Sequence, residues 1–158
     1  MTLAERLQAE VKTAMRNRDE LRRDTLRMAL SAAHNAEVAV RRPLTEEEML
    51  GVLGRELKSR RESIEAYDAA GRDDLANRER AEAAIISEFL PAPLTPDELG
   101  ALVGAAIDET GATSARDLGR VMAVLSPRTR NRADGRAVSA AVAQELARRD
   151  LAAHAVGH

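Results

Sequence analysis

The chain has 158 residues with 24 basic and 26 acidic side chains, a formal charge of −2. That length suits one domain or two small ones and buries about 68–70% of the unfolded surface. The chain has no cysteine, which excludes disulfides, thiolate zinc sites and cysteine nucleophiles. Tyr67 and Phe89 are its only aromatics, so a core must come from Leu, Val, Ile, Met and Ala, a palette that favours helices. The same scarcity argues against single-stranded RNA readers that stack bases on aromatic side chains.

Leu3, Leu7, Val11 and Met15 recur at four-residue steps, which predicts an amphipathic first helix capped by Thr2. Asn17 to Asp19 interrupt it, and a second helix is predicted from about Glu20 to Val40, with Leu21, Thr25, Met28 and Ala32 on one side. Its arginines, Arg22, Arg23 and Arg27, have carboxylate neighbours in Asp19, Glu20 and Asp24. Pro43 ends this region. Thr45 with Glu48 is a capping box that opens a third helix, whose buried stripe reads Met49, Val52, Leu53, Leu57, Ile64 and Tyr67. Arg55, Lys58, Arg60, Arg61, Glu62 and Glu65 form its mixed-sign, solvent-laced face. Gly71 closes it, and a fourth helix opens at Asp73 or Asp74 with Ile85, Ile86 and Phe89 clustered at its end.

LPAPL, residues 90–94, is the clearest boundary, because two prolines two apart impose an extended, stiff segment. Thr95-Pro96-Asp97-Glu98 restarts helix with a cap, a proline at the first position and a capping-box Glu. Leu99, Leu102, Val103 and Ile107 are its stripe, and Gly111 ends it. Ser114 then caps a short helix carrying Leu118, Val121, Met122 and Leu125, which Pro127 is expected to stop. Asp134 caps the last helix, with Val138, Val142 and Leu146 inward, and periodicity fades after Arg149. No period-two strand is visible. The expected fold is therefore all-α: about four helices in residues 1–90, a Pro-rich link, three helices in residues 95–149 and a disordered tail at 150–158.

Residues 111–135, GATSARDLGRVMAVLSPRTRNRADG, hold the most distinctive chemistry. From Arg116 to Arg136 there are six arginines and two aspartates, a local charge of +4. Guanidinium groups at that density can grip phosphates in bidentate fashion. Elsewhere the chemistry is sparse. His34, His154 and His158 share no ligand spacing, so no metal is expected, and no P-loop, nucleophile elbow or dinucleotide fingerprint is present. No catalytic residue or cofactor is expected. The charged N-terminus MTLAERLQAEVK and the lack of a long apolar run give a cytoplasmic, non-membrane protein as the expectation.

The segments GRELKSRRESIEAYDAAGRDDL, EFLPAPLTPDEL, ETGATSARDLGRVMAVL and RADGRAV resemble the GatB/YqeY family, in order and over nearly the whole chain. The resemblance implies an N-terminal helical domain and a C-terminal three-helix domain. It also implies kinship with the tail of the GatB subunit of glutamyl- and aspartyl-tRNA amidotransferases, which reaches the outer corner of tRNA. Carbon–nitrogen ligase activity with glutamine as amide donor is associated with the family; this chain lacks the residues to perform it alone. The tail motif falls on Gly119, Arg120, Val121 and Met122 and on Arg132, Ala133, Asp134 and Gly135. Gly119 would allow close approach to a neighbour, and Asn131 stands where the family commonly has glycine.

The expected function is a non-catalytic tRNA-binding protein, accessory to an amidotransferase, gripping phosphates through Arg116, Arg120, Arg128, Arg130, Arg132 and Arg136 with Gly119 among them. The alternative is an adaptor that binds protein and no nucleic acid, motivated by the acidic balance and the amphipathic N-terminal region.

Overall fold

A computed structural model describes residues 1–156. Among these residues there are seven α-helices, one 3-10 turn and no strand. The helices are α1 (Leu3–Arg16), α2 (Glu20–Val40), α3 (Glu46–Ala69), α4 (Asp73–Ser87), α5 (Pro96–Thr110), α6 (Leu118–Thr129) and α7 (Gly135–Val156), with the 3-10 turn at Ala115–Asp117. The chain divides into two compact units, Met1–Pro91 and the remainder from Ala92.

In the first unit, α3 and α4 pair along their lengths and α2 packs on all three other helices. Thr2 and Thr45 each cap a helix through a reciprocal box. The Thr2 hydroxyl accepts the Glu5 N–H at 3.1 Å, and the Glu5 carboxylate accepts the Thr2 N–H at 3.0 Å. Glu46 adds a long-range cap: its carboxylate accepts the Leu3 N–H at 3.0 Å, tying the start of α1 to α3. The core joins Leu3, Leu7, Val11, Leu26, Leu53, Leu57, Ile86 and Phe89. Phe89 lies under two guanidinium groups, Arg6 at 4.6 Å and Arg22 at 5.9 Å from its centroid.

Three side chains depart from the expected pattern. Met15 is 51% exposed and Ala14 is buried instead. A four-residue step overshoots the 3.6-residue turn by about 40°, so after three steps from Leu3 the stripe has drifted off the core and Ala14 falls back on it. Met28 is equally exposed. Arg60, placed by its type on the solvent face, is 4% exposed. Its Nη1 donates to Glu56 Oε2 at 2.8 Å and to the Glu56 carbonyl, and its Nε donates to Glu82 Oε2 at 3.2 Å. It sits one turn beyond Leu57 on the buried stripe, and these three oxygens together with the Met28 sulfur, 3.9 Å from Nη2, replace its hydration.

Thr25 is also buried, and its hydroxyl has no hydrogen-bond partner. An unsatisfied buried hydroxyl costs on the order of 1–3 kcal/mol, and valine has the same shape without it. Thr25→Val should therefore raise stability by about 1 kcal/mol, read as a higher urea midpoint with unchanged slope.

In the second unit, α5, α6 and α7 enclose Val103, Ala106, Ile107, Val121, Leu125, Val138, Val142 and Leu146. Thr95 and Glu98 form the capping box that opens α5, and Gly111, at φ +67°, ends it in the left-handed conformation that glycine adopts without strain. Pro127 does not stop α6, which continues to Thr129. Thr129 lies one turn after Leu125 and is buried with it; packing of that shared face outweighs the missing proline N–H in a terminal turn. The break comes at Arg130 and at Asn131, whose φ is +64°. Asparagine tolerates that region better than most residues, and the turn forms without the family's glycine.

The expected tail at 150–158 is corrected over 150–156: α7 runs on to Val156, past the end of its apolar stripe. Alanines at 152, 153 and 155 propagate an already nucleated helix readily. The expectation for residues 157 and 158 lies outside the described residues.

Two carboxylates give the units an acid sensitivity. Arg42, with the Thr45 cap, pulls Glu48 down to about 2, and Arg148 with Arg149 pulls Glu145 down to about 2. Because each folded value lies below the ordinary 4.5, the stabilisation is present above that pH and fades as pH falls towards 2. Acid titration followed by circular dichroism should show this loss, and Glu145→Gln should flatten it.

Candidate nucleic-acid interface

All the arginines of the basic segment belong to the second unit, where eight arginines face eight acidic residues. The segment's charge of +4 is thus matched within its own unit, and Arg120, Arg128 and Arg132 are engaged by those acids. Arg120 donates through Nη1 to the Thr110 carbonyl and through Nη2 to Asp117 Oδ1, both at 3.0 Å. The first of these satisfies an orphan carbonyl at the end of α5, where the helix dipole is negative. Asp117 is held below the usual carboxylate range, chiefly by the Thr113 backbone N–H and then by Arg120.

Arg128 makes a two-pronged contact with Glu109, at 3.1 and 2.8 Å, which raises its own proton affinity further. Arg132 donates through Nε to the Ala92 carbonyl at 3.0 Å and stands 3.7 Å from Glu98. Its backbone carbonyl accepts the Leu94 N–H at 2.8 Å. Glu98 titrates low because of the Thr95 cap first, with Arg132 a smaller contributor.

Arg116 and Arg136 differ from these three. Both are exposed and, among the described residues, neither guanidinium enters an ion pair. Arg130 is exposed at the break after α6. Gly119 is exposed, and a Cβ placed there would meet no atom within 4 Å. The close approach expected of it is therefore not made within this unit.

The contacts also divide the cluster. Arg120 and Arg128 reach the C-terminal end of α5, at Thr110 and Glu109, whereas Arg132 reaches Glu98 at its N-terminal end. Twelve residues of helix separate those ends, about 18 Å. Such a span exceeds a single phosphate and matches roughly five nucleotides of rise along one strand of a duplex.

The acids at both ends of α5 were missed as partners in the sequence. Glu109 lies nineteen residues before Arg128, and no local spacing links them. His34 is an exposed residue of α2. Among the described residues no three His, Cys, Asp or Glu side chains are grouped to hold a metal ion, and no helix is long and apolar enough to cross a membrane.

Comparison with known proteins adds kinship to this geometry. The family model described as Yqey-like protein matches residues 4–146. A protein of Eremothecium gossypii named "Altered inheritance of mitochondria protein 41, mitochondrial" is 32% identical over 124 residues, covering 76% of this chain and 68% of the relative. Its namesake in Pyrenophora tritici-repentis is 30% identical over 129 residues, 78% of this chain and 71% of the relative. One from Saccharomyces cerevisiae is 32% identical over 85 residues, 53% and 46% of the two chains. The expectation of a cytoplasmic protein is corrected by these findings, since the relatives are named as mitochondrial.

Proposed function

Since the chain belongs to the Yqey-like protein family, we propose that its second unit is a non-catalytic, tRNA-binding module that grips phosphates at two points along α5. The observation that carries this reading is the pair of exposed guanidinium groups, Arg116 and Arg136, that enter no ion pair among the described residues. The ion pairs of Arg120 and Arg128 are exposed, and such pairs contribute about 0–1 kcal/mol. A phosphate can therefore exchange for Asp117 or Glu109 at small cost. Resemblance to the GatB tail supports tRNA as the polyanion and an amidotransferase as the assembly in which it is met. The separation of the two grips supports a structured nucleic acid over a mononucleotide, with recognition by shape and backbone.

The test is binding of the full chain to unfractionated tRNA, followed by fluorescence anisotropy as salt is raised. With four phosphate contacts, log K should fall with log salt at a slope of about −2.8 to −3.6, so affinity drops about 50–150-fold between 50 and 200 mM. No binding at low salt, or a slope near zero, would sink the assignment. Duplex DNA competing as well as tRNA would remove the preference for RNA.

A further inference from the structure

The first unit carries a second surface, on the side of α2 that no other helix covers. Arg27, Ser31 and Asn35 form a ridge at four-residue spacing, with a groove of about 520 Å³ on one flank and another of about 440 Å³ sharing those three residues. Met28 lines the first groove and is 51% exposed; Met15, whose sulfur meets Arg27, is equally exposed, and Val38, three residues past Asn35 on α2, is 62% exposed. Methionine is flexible and polarisable, which suits a surface that moulds itself to a partner.

The charges on this surface are not balanced. Asp24 is already engaged by Arg23 at 2.8 Å, and Glu56 by Arg60 at 2.8 Å. Arg27, between them, has only the Met15 sulfur at 3.5 Å as a hydrogen-bond acceptor and, among the described residues, enters no ion pair. Asp24 feels three guanidinium groups at once, Arg23, Arg27 and Arg78, and Glu56 is held by Arg60, so this surface keeps an excess of positive charge. Complementarity then calls for an apolar surface bearing one carboxylate opposite Arg27.

We propose that this face of α2 docks an amphipathic helix of a protein partner, its apolar stripe lying on Met28 and Val38 and an acidic side chain paired with Arg27. Helix-in-groove recognition reads anchors one turn apart, and the ridge at positions 27, 31 and 35 offers that spacing. This surface is separate from the arginines of the second unit and stands or falls independently of tRNA binding.

The experiment uses the full chain, ¹⁵N-labelled, titrated with two designed 15-residue amphipathic helices that share a leucine stripe and differ by Glu or Lys at the centre. The Glu peptide should shift the amides of residues 24–38 and bind about 10-fold tighter than the Lys peptide. Arg27→Glu should invert that order and Arg27→Gln should abolish the difference; both changes are on the surface, and unchanged melting would show that the fold is intact. The proposal is overturned if neither peptide perturbs this face, or if the order survives Arg27→Glu. It is also overturned if these amides respond instead to protein concentration, as for a second copy of the chain, or to tRNA.

Discussion

Arg60→Ala is expected to destabilise the first unit by about 3–5 kcal/mol, the range for removing one member of a buried ion pair. No exposed charge in the chain should approach that effect. Arg60 is 4% exposed, and the side chains of Glu82 and Glu56 are 12% and 25% exposed. Truncation leaves two carboxylates facing an empty volume in the α3–α4 seam, with Arg78 at 3.6 Å from Glu82 as the nearest remaining cation. It also withdraws the arginine's methylene stem from the packing. The double change Arg60→Met with Glu82→Leu should restore stability to within about 1 kcal/mol of the starting protein, because it removes charge and desolvation together. Urea unfolding followed by Tyr67 fluorescence reads this unit, since Tyr67 lies on α3 and the chain has no tryptophan. A loss below about 1 kcal/mol for Arg60→Ala would mean that water reaches the network and that it behaves as a surface pair.

The second large effect is expected in tRNA binding. Reversing two exposed arginines, Arg116→Glu with Arg136→Glu, should weaken binding about 100-fold at low salt and reduce the salt slope by roughly 2. These two positions are chosen because, among the described residues, their side chains make no ion pair that the change would disturb. Arg132 is a poorer test: it holds the Ala92 carbonyl, so its loss mixes binding with folding. Glu109→Gln probes the opposite direction. It frees Arg128 from its bidentate partner, and binding should tighten by a few-fold. Unchanged affinity in the reversal variant would remove these arginines from any nucleic-acid contact.

Helix starts were legible where one side chain performs a local task. Thr2, Thr45 and Thr95 each precede a Glu by three residues, and each forms a capping box in the structure. Gly111 marks a left-handed helix end as its position implies. Arg60 was legible by position and hidden by type. It continues the stripe of Leu53 and Leu57, but an arginine reads as solvent-facing until Glu56 and Glu82 are known to surround it. Pro127 misled in the opposite sense, since a strong local rule yielded to the burial of Thr129 beside Leu125.

By itself the sequence determined the all-helical class, most helix boundaries, the apolar stripes and the family. These depend on dihedral preferences, caps and periodicity, which act over a few residues. Only the tertiary structure decided which charges are spent on one another. Arg128 meets Glu109 across nineteen residues and Arg60 meets Glu82 across twenty-two, while the guanidinium groups of Arg27, Arg116 and Arg136 enter no ion pair among the described residues. Coulombic partners follow distance in space, and distance in space is set by how helices pack, which no stretch of chain encodes locally.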